Sequence, residues 1–181
     1  MKHLAHVIAG IIISAVVIIP VCATETENID GILVNDGNLI EEISYYDNEF
    51  QGQVIEQTYF ISDNSNEILG LFSQNKGAGW FIKTKKCMEW VSGDVTKIYA
   101  KGHFVWNNGK VSVSDESGGY DYIDSGAFNI EERVSADIGG IPFNKYAYVL
   151  YKLKFKTHIG IDKDFSVKLT VNASGKTNGD K

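Results

Sequence analysis

In the stretch "TKIYAKGHFVW", Thr96 to Trp106, two sets of residues alternate. Ile98, Ala100, Gly102, Phe104 and Trp106 make one set, and Lys97, Tyr99, Lys101, His103 and Val105 the other. A helix would scatter both sets around its axis, whereas a strand sends them to opposite faces. "NNGK" follows at once. Asn108-Gly109 fits a two-residue type I′ loop, because both central residues of that turn take positive φ. The resulting register pairs Asn107 with Lys110, Trp106 with Val111 and Phe104 with Val113, which gathers the apolar groups on one face. A three-residue loop would set the valines opposite the polar face.

The same period recurs in "QVIEQTYFIS" (53–62), "GWFIKTKKCMEWV" (79–91), "YDYIDSGAFNI" (120–130), "YAYVLYKLKFKTHIGI" (146–161) and "FSVKLTV" (165–171). Short turn clusters, "SDNSN", "QNKGAG", "SDESGG" and "GIDKD", lie between them. One segment competes as a helix. In "NLIEEISYYDNEF", Asn38 and Glu41 have capping-box spacing, and Leu39, Ile40, Ile43 and Tyr46 share a helical face. The pattern predicts an all-β fold: an antiparallel β-sandwich or partly open barrel, with room for one short helix near the mature N-terminus. No internal repeat or linker divides residues 24–173, so they form a single domain, followed by a disordered tail over 174–181.

"MKHLAHVIAGIIISAVVIIPVCA" opens the chain with a weakly basic start and an apolar run from Val7 to Val21. That run is short of the ~20 residues that span a bilayer as a helix. The small residues ending at Ala23 suit a signal peptidase, so residues 1–23 are expected to be a signal peptide cleaved after Ala23, and the protein secreted. An uncleaved anchor is the alternative. Lipidation at Cys22 is disfavoured by Val21, where that processing wants a small residue.

The formal charge is −6, and about −7 once Lys2 is removed, which argues against nucleic acid as a partner. Without Cys22, Cys87 stands alone and no internal disulfide forms. Disulfide-free export suits a bacterial protein. "NAS" at Asn172 is a glycan acceptor only in a eukaryote. Counting alternately from Trp80 places Ile82, Met88 and Trp90 together and Cys87 with Lys83, Lys85 and Glu89. Cys87 is therefore expected to be partly exposed, in a monomer open to disulfide-linked dimerisation.

Signals for chemistry are sparse. The mature histidines, His103 and His158, read as surface residues on strands. Ser112, Ser114, Ser117 and Asp115 are near in sequence to His103 but lack the frame of a nucleophile elbow. No zinc cluster and no glycosidase carboxylate pair is evident, and no cofactor is expected. Asp115, Glu116, Asp121 and Asp124 are weak calcium candidates, with Gly118 and Gly119 allowing a tight turn, although their spacing matches no EF-hand. Tyr120 and Tyr122 beside these acids would make a sugar-stacking platform.

In "YKLKFKTH", Lys152, Lys154, Lys156 and His158 alternate with Tyr151, Leu153, Phe155 and Thr157, forming a basic row behind an apolar face. Such lysines also discourage pairing at an edge strand. With outward Lys83, Lys85, Lys97 and Lys101 they would merge into a positive surface. In general style the chain resembles small secreted β-sandwich proteins of Gram-positive bacteria. The expected function is non-catalytic binding to an anionic cell-envelope polymer, lipid surface or glycan. A carbohydrate-binding module and a small secreted hydrolase are the alternatives.

Overall fold

The computed structural model describes residues 26–48, 50–63, 76–89, 95–123, 126–140 and 144–177. The expected leader, residues 1–23, lies outside them. The fold is an all-β sandwich of antiparallel sheets. A hairpin of β1 (Glu27–Ile29) and β2 (Ile32–Val34) comes first. The large sheet then runs β3 (Leu39–Asp47), β4 (Gly52–Ser62), β5 (Lys76–Glu89), β6 (Val95–Asn107) and β7 (Lys110–Tyr122) in spatial order β3-β4-β5-β6-β7. The small sheet has β8 (Phe128–Gly139), β9 (Tyr146–Lys156) and β10 (Asp162–Asn172) in spatial order β10-β9-β8.

The loop at Asn108-Gly109 has the expected conformation, with φ of 50° and 72°. Asn107 pairs with Lys110, Trp106 with Val111 and Phe104 with Val113, as the alternation requires. Beyond that point the register shifts at His103/Phe104 and again at Lys97/Ile98, so β7 carries two bulges against β6. The inward set of β6 packs with Phe60 and Phe81 of the large sheet. It meets Val149, Tyr151 and Leu153 of β9 and Phe165, Val167 and Leu169 of β10.

Several expectations need correction. The helical reading of 38–50 fails. Asn35 caps only a three-residue 3-10 turn, Asp36–Asn38, and its capping box closes on Asn38 rather than Glu41. Leu39 is already extended, and its β-branched and aromatic followers pair with β4, Tyr45 opposite Val54 and Ser44 opposite Ile55. "SDESGG" is not a turn but the middle of β7, and "YDYIDSGAFNI" is two strands, the end of β7 and the start of β8. The stretch from Lys76 to Gly79, placed in a turn, belongs to β5.

Cys87 is also corrected, being 1% exposed. No bulge breaks β5. Its inward set is Phe81, Lys83, Lys85 and Cys87, with Cys87 opposite Val54 on β4 and Thr96 on β6. The alternation misled because β5 is covered on both sides: Ile82 is fully buried in a second cluster with Ile29, Val34 and Tyr59 beneath the β1–β2 hairpin. The thiol is not presented for a disulfide with a second chain. Lys83 points inward, and Lys97 and Lys101, on the outer face, are covered by the β1–β2 hairpin, so all three are buried, each beside a carboxylate. Strand β9, which bears the lysine row, is central to its sheet and not an edge. Of the expected tail, residues 174–177 form a turn in which Val171 bridges Thr177 and Gly175 lies against the ring of Trp106.

Candidate functional site

The outer face of the large sheet, away from the small sheet, is shaped by the β1–β2 hairpin. Ile29 and Val34 are pressed onto Tyr59 and Ile82. Polar ties fix the hairpin: Asp30 is 2.5 Å from Lys101 Nζ, and the Ser117 hydroxyl donates to Asp30 at 2.7 Å. Lys97 bridges Glu27 of the hairpin and Asp121 of β7, the latter at 3.3 Å. The Lys101 ammonium holds the Asp30 carboxyl below its ordinary pKa, against the opposing effect of burial.

Beside the hairpin lies an open groove of about 690 Å³. Asn35, Asp36 and Glu27 come from the hairpin region, Glu42 from β3, Gln57 and Tyr59 from β4, Lys86 from β5, Lys97 from β6 and Tyr122 from β7. Its floor is preset by hydrogen bonds. Gln57 Nε2 donates to Glu42 at 2.8 Å, and the Tyr59 hydroxyl donates to Gln57 Oε1 at 3.0 Å. Burial, then the charges of Glu42 and Asp36, push the Tyr59 hydroxyl pKa upward, so it stays a donor. Tyr122 stands 61% exposed at the rim.

A second polar constellation sits further along β6. His103 Nδ1 is 2.7 Å from Ser114 Oγ, and its Nε2 is 2.9 Å from an Asp63 carboxylate oxygen. With the proton on Nε2, the ring donates to Asp63 and its Nδ1 accepts from the Ser114 hydroxyl. Ser114 Oγ also lies 3.3 Å from the carbonyl of His103. The first bulge of β7 brings Ser114 here, and the Trp80 ring packs against the imidazole with centroids 5.3 Å apart.

The residues singled out from sequence are dispersed. Tyr120 pairs with Ile98 and packs against the inner core, while Tyr122, past a bulge, lies on the outer face opposite Lys97. They form no common platform. Asp115 and Glu116 alternate across β7, Asp121 is engaged by Lys97, and Asp124 lies outside the described residues. Among the described residues no three His, Cys, Asp or Glu side chains converge as a metal site. Lys152, Lys154 and Lys156 do point outward together, with His158 exposed in the turn after β9. The row is partly neutralised, because Lys154 lies 3.1 Å from Asp164 and Lys156 lies 3.2 Å from Asp162 across the strand pair with β10.

Sequence reasoning missed Asn35, Asp36, Glu42, Gln57 and Asp63. The alternation of Ile55, Gln57 and Tyr59 held a signal for the groove floor, but the helical reading of β3 hid its partner Glu42. Asp63 and His103 are 40 residues apart, so no local pattern joins them. No protein-family model, curated protein or solved structure matches this chain.

Proposed function

We propose that this chain is a secreted, non-catalytic β-sandwich that binds an envelope glycan in the groove beside the β1–β2 hairpin. The observation that carries the reading is the groove itself: about 690 Å³, floored by the linked side chains of Glu42, Gln57 and Tyr59 and rimmed by exposed Tyr122. Sugar hydroxyls are donors and acceptors at once, and a mixed, prepositioned set of amide, carboxylate and ammonium groups answers them with little ordering cost. An exposed tyrosine ring offers its face to the apolar side of a pyranose. Binding clefts of this volume are typical for small ligands.

Charge selects the kind of glycan. The groove carries Glu27, Asp36 and Glu42 against Lys86 and Lys97, a balance that disfavours polyanions. The lysine row, closer to the earlier expectation of an anionic polymer, has its outer charges offset by Asp162 and Asp164. Calorimetric titration with neutral and with anionic envelope polysaccharide tests both. Neutral polymer is expected to bind, and Tyr122→Ala or Gln57→Ala to weaken binding at least about tenfold. Equal binding by these variants, with loss in Lys152, Lys154 and Lys156→Gln, would move the ligand to the lysine row and to anionic polymer.

A second reading rests on the Asp63–His103–Ser114 chain, whose distances suit a serine nucleophile with a histidine base oriented by a carboxylate. In that reading the protein is a small hydrolase. Labelling by a fluorophosphonate that is abolished in Ser114→Ala and in His103→Ala would establish it, and absence of labelling in the native protein would remove it.

A further inference from the structure

Four strands form the edges of the two larger sheets, and three of them are guarded. β7 carries two register shifts, β10 is bridged by Thr177 at its end, and β3 begins with a shift and then bears only acidic charges, Glu41, Glu42 and Asp47, which repel a second copy. β8 differs. Its only irregularity lies between Phe128 and Glu131, and from Glu131 to Gly139 it runs in unbroken register with β9. That run contains neither lysine nor proline, the usual guards of an edge. Among the described residues no strand pairs with its other side. Ala136 packs against the core, while Val134 and Ile138 stay 38% and 45% exposed.

Charge along this run is arranged about Ser135 in a way that suits a copy of itself. Antiparallel pairing centred on Ser135 sets Arg133 of each copy opposite Asp137 of the other, and Val134 opposite Ala136, each twice by symmetry. Shifting the centre to Val134 sets Glu131 against Asp137, and shifting it to Arg133 sets two guanidiniums together. Centring on Ala136 leaves Arg133 facing Gly139, with no ion pair. Arg133 also has an unmet need within its own sheet. It lies directly opposite Lys152 on β9, a like-charge pair, and makes no ion pair among the described residues. An aspartate on its free side offsets that repulsion.

We propose that β8 is a homodimerisation edge, joining two small sheets into one six-stranded sheet through antiparallel pairing centred on Ser135. Sedimentation equilibrium across a concentration series tests it with the protein and three variants. The wild type is expected to dimerise. Arg133→Asp and Asp137→Arg each place like charges in contact twice and should weaken association at least about tenfold, while the double exchange restores the pairs and the dimer. Ser135→Cys should form a disulfide across the two-fold axis under mild oxidation, and this variant does not depend on the folding of the charge mutants. A wild type that stays monomeric to millimolar concentration would overturn the proposal. So would a dimer indifferent to both single exchanges, or Ser135→Cys that does not crosslink.

Discussion

Lys83 Nζ lies 2.9 Å from a carboxylate oxygen of Glu56 on the inward face of the large sheet, with side-chain exposures of only 6% and 15%. The pair shares that face with Val54, Phe60, Phe81 and Cys87, and its two partners are not equally replaceable. Glu56 also has Lys85 at 3.9 Å and accepts the Tyr45 hydroxyl at 3.0 Å. Removing the carboxylate by Glu56→Leu takes a shared partner from Lys83, Lys85 and Tyr45 at once and should destabilise by about 3–5 kcal/mol. Lys83→Met leaves Glu56 with its other partners and should cost clearly less. Urea unfolding of both variants, compared at one pH, checks the asymmetry.

Cys87 should be inert in the native protein. Burial, reinforced by the charges of Glu89 and Asp47, raises its thiol pKa and keeps thiolate scarce. An aromatic disulfide reagent is expected to react with it only after denaturant is added. Prompt stoichiometric reaction in buffer would contradict the burial.

The hairpin tie at Asp30 should respond to acid. Its carboxyl titrates below the ordinary value of 3.8 when folded, so the ionised form is favoured by the fold. The stability it contributes is present above that ordinary value and is lost as pH falls through the lower, folded one. Asp30→Asn removes this contribution. The difference between urea midpoints at pH 6 and pH 3 should therefore be smaller in the variant than in the wild type.

The turn at 173–177 should act as a lid on a core residue. Trp106 is 2% exposed, and a Cβ placed on Gly175 would come within 2.4 Å of its indole. Ending the chain at Asn172 should expose the ring, shift its fluorescence to the red and make it accessible to iodide. The expected loss of stability is on the order of 1–3 kcal/mol. Gly175→Val in the full-length chain should reproduce part of this by displacing the turn.

Legibility in the sequence followed solvation. The β6–β7 hairpin was readable because Asn108-Gly109 dictates its own backbone and because β6 presents a distinct inward set. β9 and β10 were readable because one face of the small sheet is wet, so Lys152 and Lys154 contrast with Leu153 and Phe155. Strand β5 was legible as a strand, but its core face was not, because Phe81 and Ile82, adjacent in sequence, are both fully buried on opposite faces. β3 was misassigned because a true capping signal at Asn35 serves three residues and then stops. The groove was invisible because it is assembled from Asn35, Glu42, Gln57, Lys86 and Tyr122, which no spacing rule connects.

Within every sheet of this protein, hydrogen-bonded neighbours are also neighbours along the chain. Each sheet can thus grow by adding one strand at a time next to its predecessor, the longest stretch to close being the thirteen residues between Ser62 and Lys76, so little chain entropy opposes its formation. The costly event is the later meeting of two preformed sheets, when Phe104 and Trp106 first engage Val149 and Tyr151 across the sandwich. Substitutions at Trp106 or Tyr151 should therefore slow refolding, whereas changes in the β1–β2 hairpin, which docks on the opposite face, should act chiefly on the unfolding rate.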